Sequence, residues 1–135
     1  MSKSVEDLFD AAHAAQARAY APYSHFLVGA ALRGASGAIY SGCNVENAAY
    51  PQGACAETGA ILAMVNAGER RIAEILVIGD GEDLCTPCGG CRQRIREFAA
   101  PDTPVHIAGP SGVRATFTLE QLLPSSFGPE NLAGR

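Results

Sequence analysis

Val5, Leu8, Phe9, Ala12, Ala15 and Ala19 recur at the spacing of one helical face. That period predicts an amphipathic helix over residues 4–19, with Ser4 as its cap. Pro22-Tyr23-Ser24 breaks it. Phe26 to Leu32 is small and apolar, which suits a buried strand. Gly34-Ala35-Ser36-Gly37 reads as a hairpin turn into a second strand over 38–42. Residues 43–54, rich in Asn, Gly and Pro, read as a loop. A second helix is expected from Cys55 or Ala56 to Ala67, burying Ile61, Leu62, Met64 and Val65 and stopping at Gly68.

Ile75-Leu76-Val77-Ile78 is a continuous apolar run, as expected of a central strand covered on both faces. The loop 79–87 leads to a third helix from Cys88 or Gly89 to Phe98, ended by Pro101 and Pro104. Val105 to Ala108 reads as a strand. Pro110-Ser111-Gly112 is too short for a parallel crossover, so 114–118 should return antiparallel. Thr118 can cap a short helix over 119–123, and the tail 124–135 looks irregular. The order β-β-α-β-α-β-β behind a leading helix predicts an α/β fold. Its form is a three-layer α/β/α arrangement, a five-stranded mixed sheet with helices on both faces, in a single domain over 1–135.

With 135 residues, 47% hydrophobic and 18% charged, the chain can bury a core without disulfide staples. No apolar run approaches the roughly 18 residues of a membrane helix, so no membrane partner is expected. Met1 to Asp7 lacks an apolar stretch with a cleavage site, which makes the cytoplasm the expected location. The net charge of −4 argues against nucleic acid as a partner. Arg92, Arg94 and Arg96 read as a solvated helix face.

Five cysteines, an odd count, point to metal or catalytic use instead of a disulfide framework. Cys55-Ala56-Glu57 and Pro87-Cys88-Gly89-Gly90-Cys91 sit where two helices are expected to begin. A C-x-x-C pair there puts both sulfurs on one face, and the exposed N–H groups favour thiolate. Cys55, Cys88 and Cys91 as ligands leave one tetrahedral position on Zn²⁺ open, which is the mark of a catalytic zinc. Glu57 is then placed to move protons. Cys85-Thr86-Pro87-Cys88 is a second C-x-x-C, so a redox dithiol stays open, as does a closed structural zinc that includes Cys85 and leaves Glu57 idle. Cys43 and Cys85 also fit as buried small apolar residues. His13, His25 and His106 fall on a helix, a turn and a strand, and read as structural.

These residues resemble the zinc-dependent cytidine deaminase family, in its small homotetrameric, all-cysteine branch. The motif is H-x-E…P-C-x-x-C with Cys55 in the histidine position. Pro22-Tyr23-Ser24-His25-Phe26, Gly42 to Ala48 and Leu122 to Pro129 also look like family segments. The resemblance implies one Zn²⁺ per subunit and hydrolytic deamination of cytidine and 2′-deoxycytidine in pyrimidine salvage. Glu57 would pass a proton from the attacking water to N3 and then to the leaving amine. Asn44 and Glu46 would hold the ribose, marking a nucleoside and not a nucleotide. Phe26 would pack on the base, and the Ala56 N–H would meet the pyrimidine carbonyl. Phe127 would reach a neighbouring subunit's site and Tyr50 would lie at the interface near the ligand. The assembly implied is a homotetramer with shared sites.

One departure concerns charge. Many three-cysteine members follow Cys-Ala-Glu with an arginine, whereas this chain has Thr58-Gly59. Three thiolates on Zn²⁺ leave a net −1; Arg92, beside Cys91, or the two helix dipoles can offset it, and Arg92 is the residue expected behind the ligands. Other readings are a deaminase of another aminopyrimidine nucleoside, such as blasticidin S, and a zinc-stabilised non-catalytic module. Asn44 with Glu46 and the Ser126-Phe127-Gly128-Pro129 tail favour cytidine over blasticidin S.

Overall fold

The computed structural model describes residues 1–134; Arg135, the last residue of the expected tail and domain, lies outside them. Helix α1 (Lys3–Gln16) precedes the hairpin β1 (Val28–Gly34) and β2 (Ile39–Cys43). Then follow α2 (Ala56–Asn66), β3 (Ile72–Gly79), α3 (Gly89–Phe98), β4 (Pro104–Gly109), β5 (Gly112–Thr118) and α4 (Leu119–Leu122). The five strands form one mixed sheet in the order β2-β1-β3-β4-β5, with only β3 and β4 parallel. The expected α/β/α arrangement is the one observed.

Alternation along the strands builds the two cores. Ala31, Leu76, Ile78 and Ala108 point to α1 and meet Leu8 and Ala12. Ala30, Leu32, Ile75, Val77, Val105 and Ile107 point the other way, against Ala56, Ala60, Ile61 and Met64 of α2 and Ile95 of α3. Each fully buried aliphatic side chain contributes about 1.5–3 kcal/mol. Both layers press unusually close to the hairpin. A Cβ on Gly29 would lie 2.0 Å from the Ala12 carbonyl oxygen, and one on Gly42 would lie 2.5 Å from the Ala60 nitrogen. Gly68, at φ 94°, ends the turn after α2 in the left-handed region, as its position predicts.

Several boundaries differ from expectation for identifiable reasons. Ser2, not Ser4, caps α1, accepting from the Val5 N–H at 3.3 Å, while the Ser4 hydroxyl donates to Glu74. The helix stops at Gln16, because Tyr20 leaves it to pair with the 44–46 segment: its N–H donates to the Asn44 carbonyl and its own carbonyl accepts from Glu46. β1 begins at Val28 because the Asn44 side chain brackets the two preceding residues, accepting from Val28 N–H at 2.9 Å and donating to the Phe26 carbonyl at 2.8 Å. Leu62 and Val65, expected in the core, are 62% and 38% exposed. Helix α2 is apolar around its circumference, so its period alone did not say which side meets the sheet.

Candidate functional site

The loops after β2 and β3 deliver α2 and α3 side by side, and each helix starts on a cysteine. Cys55 caps α2 and Cys88 caps α3, both in extended conformation and without side-chain capping bonds, which leaves their sulfurs free. Cys91, one turn into α3, is fully buried. The three Sγ atoms lie within 4.8 Å of one another, and Cys55 and Cys88 Sγ are 3.9 Å apart. Tetrahedral zinc with bonds of about 2.3 Å requires sulfurs about 3.8 Å apart, whereas a disulfide needs about 2.05 Å. The spacing therefore fits a metal and not a cystine. Among the described residues, neither Cys85 nor a histidine joins this group.

The electrostatics agree. The Cys91 backbone N–H lowers the pKa of the Cys88 thiol, favouring thiolate. Burial pushes the Cys55 and Cys91 thiols up, so a cation is what makes all three good ligands together. Glu57, two residues from Cys55, is 4% exposed, and burial raises its carboxyl above the ordinary range against a smaller opposing pull from Arg94. A carboxyl whose charged form is so disfavoured holds a proton more readily than an exposed one, as a group that both takes and returns protons requires.

Cys55 and Cys88 of the cluster line an open cleft of about 620 Å³, with Cys91 buried behind them. The cleft walls also hold Asn44, Glu46, Tyr50, Ala56 and Glu57. Ala56 is the first residue of α2, so its N–H has no acceptor within the helix. Glu46 accepts from the N–H groups of Tyr23 at 2.9 Å and Ser24 at 3.1 Å, and from the Ser24 hydroxyl. These bonds hold its pKa below the usual carboxylate range, the Ser24 hydroxyl contributing most. Asn44 and Glu46 thus also staple the 23–28 loop to the cleft, while both still line it.

Phe26 and Phe127 stand outside the cleft lining. Phe26 is 41% exposed, its ring edge sharing with Cys85 the space over Gly79, and Phe127 is 58% exposed, its carbonyl accepting from Gln93 at 2.9 Å. Tyr23, which stacks edge-on against Tyr50 with centroids 6.0 Å apart, lines the cleft, as do Ser24, Thr86 and Cys85. Tyr23, Ser24 and Thr86 are not singled out as site residues by the sequence, and Cys85 stands out there only as a thiol of the second C-x-x-C or as a buried apolar residue. Their signal was the loop in which they sit, not their residue type.

Arg92 is not the guanidinium at the sulfurs. It donates to the carbonyls of Pro87 and Leu122, both at 2.7 Å, and to the Thr86 hydroxyl at 3.1 Å. It thereby fixes the turn that presents Cys88. Arg94 instead places a terminal nitrogen 3.9 Å from Cys91 Sγ, and the Thr58 hydroxyl lies at the same distance from it. One helical turn separates Cys91 from Arg94, whereas Arg92 points off that face.

An α/β/α sheet that presents three converging thiols and a buried carboxylate at adjoining helix starts is the framework of a zinc hydrolase. Residues 2–107 match the family described as "Cytidine and deoxycytidylate deaminase zinc-binding region". A cytidine deaminase of Sporosarcina psychrophila is 42% identical over 129 residues, covering 96% of this chain and 95% of the relative. The solved structure of cytidine deaminase from Burkholderia pseudomallei superposes with a TM-score of 0.85 at 41% identity, covering 94% of this chain and 100% of the other. That from Mycobacterium tuberculosis gives 0.78 at 35% identity, covering 91% and 96%. The chain belongs to the cytidine and deoxycytidylate deaminase family, and it is a zinc enzyme of that family.

Proposed function

We propose that this chain hydrolyses cytidine and 2′-deoxycytidine to uridine and 2′-deoxyuridine with release of ammonia, serving pyrimidine salvage. Cys55, Cys88 and Cys91 hold one zinc per subunit. The observation that carries the reading is the buried Glu57 carboxyl beside three converging sulfurs, two of which line a nucleoside-sized cleft together with Glu57.

When bound, zinc supplies Lewis acidity that brings the pKa of water to about 7. Glu57 accepts the proton that the attacking water loses at C4 and delivers it to N3. The same carboxyl then takes the second proton from the resulting C4 hydroxyl and passes it to the exocyclic nitrogen, so that the C4–N bond breaks, ammonia leaves and the C4 carbonyl forms; its raised pKa suits both roles. The Ala56 N–H donates to the C2 carbonyl. Asn44 and Glu46, in a loop made rigid by their own bonds, orient the ribose hydroxyls. Among the described residues, no lysine or arginine lines the cleft, and Glu46 would repel a 5′-phosphate. The substrate is therefore a nucleoside.

The working form is a homotetramer with shared sites. Leu62 and Val65 of α2, with Tyr50 and Phe127, leave apolar surface of the kind that neighbouring subunits cover. Phe127 enters an adjacent subunit's cleft, Tyr50 lies at the same seam, and Phe26 packs beside the base. Five free thiols suit a reducing compartment, the cytoplasm.

The test is incubation with cytidine while uridine and ammonia are followed, repeated for Glu57→Gln. The expected variant is folded and zinc-loaded, with kcat lower by about 10²–10⁴. Undiminished turnover would sink the mechanism.

A further inference from the structure

We propose that Arg94, with Thr58, balances the charge of the third thiolate in this chain. The inference rests on the reading that Cys55, Cys88 and Cys91 hold zinc. Three thiolates on a dication leave one negative charge, and the buried position of Cys91 denies its sulfur the water that would otherwise spread that charge.

Two side chains from two helices converge on the Cys91 sulfur. The Arg94 guanidinium approaches to 3.9 Å from one turn further along α3, and the Thr58 hydroxyl approaches to 3.9 Å from the first turn of α2. Both donate to sulfur, and the guanidinium also carries a full positive charge. The other arginines of α3 are committed elsewhere. Arg92 binds two carbonyls and a hydroxyl, and Arg96 binds Ser126 and Glu130. Gly90 keeps the place open, for a Cβ there would come within 3.1 Å of the Arg94 terminal nitrogen. A threonine at position 58 thus serves where the family often uses arginine, because the cation arrives from the opposite helix.

Arg94 is a positioning residue, so its test reads the metal as well as turnover. Zinc-loaded protein is challenged with a chromophoric chelator. Arg94→Ala and Arg94→Gln are expected to release zinc about tenfold faster, the ratio that loss of one charge-assisted bond implies. Thr58→Arg in the Arg94→Ala background is expected to restore slow release. In cobalt-substituted protein, loss of the donor should move the thiolate-to-metal charge-transfer band to lower energy. Release rates and a cobalt band unchanged in both Arg94 variants overturn the assignment. Cytidine turnover by the unmodified protein separates the two readings. Unchanged release from an active enzyme overturns Arg94 alone, whereas faster release in the variants of a protein that never deaminates cytidine overturns the activity and leaves Arg94 standing.

Discussion

Cys55 and Cys88 lie 33 residues apart in the chain, yet their sulfurs are 3.9 Å apart. Each is the residue before a helix, and the two helices pack on the same face of the sheet. The metal site is consequently a property of how β1, β2 and β3 set α2 beside α3.

Removing a ligand should therefore cost metal first and fold second. Cys88→Ser, at an exposed position, is expected to lose most of its zinc and its turnover while keeping its α/β circular dichroism. Cys91→Ser, at a buried position, is expected to lose zinc and also to melt several degrees lower. Metal analysis and thermal melts of the two side by side check this. Equal zinc content in Cys88→Ser and the parent would remove Cys88 from the ligand set.

The proposed sharing of sites between subunits predicts complementation. Glu57→Gln and Phe127→Ala are each expected to be poorly active alone. Co-folded, they should regain activity, because some clefts then combine an intact Glu57 with a neighbour's intact Phe127. Activity no greater than the average of the two separate variants would place Phe127 outside the neighbour's site.

Glu69 ties the β1–β2 hairpin to the turn after α2. Its carboxylate accepts from the Ser36 N–H at 3.0 Å, the Ser36 hydroxyl at 2.8 Å and the Tyr40 hydroxyl. The Tyr40 bond, the largest influence, and those from Ser36 hold its pKa below the ordinary value of 4.5. A depressed folded value means that the unfolded chain binds the proton more tightly. The stabilisation is thus complete above the ordinary value and is lost as pH falls through the depressed one. Glu69→Gln is expected to melt a few degrees below the parent at pH 7, and the gap should close as the pH is lowered past about 4.5. A gap that persists unchanged in acid would assign the effect to packing.

Gly29 marks the closest approach of α1 to the sheet. An added methyl would meet the Ala12 carbonyl oxygen at 2.0 Å and the Gln16 nitrogen at 2.8 Å, both of them backbone atoms. Gly29→Ala should cost about 2 kcal/mol or more by forcing helix and strand apart, which is roughly 8 °C in Tm for a chain of this size. Since the zinc ligands lie on the opposite side of the sheet, metal content at room temperature should be unchanged.

Local chemistry made much of this protein legible in one dimension. The 3.6 period, the apolar run 75–78 and the glycine at position 68 marked the elements, and the α/β/α class followed from their order. The Cys-Ala-Glu and Cys-Gly-Gly-Cys segments marked a zinc site because thiol ligands at helix starts depend on spacing within a few residues. Tertiary structure decided what depends on residues far apart. It turned Leu62 and Val65 outward, since a helix apolar on every side does not specify its buried face. It drew Tyr23, Ser24, Thr86 and Cys85 into the cleft, and it gave the Asn44 and Glu46 side chains a staple to a loop some twenty residues earlier. Above all, it exchanged Arg92 for Arg94 at the sulfurs. Adjacency in sequence put Arg92 next to Cys91, but one turn of helix points a side chain back over its neighbour, and only the fold of α3 against α2 shows which guanidinium arrives.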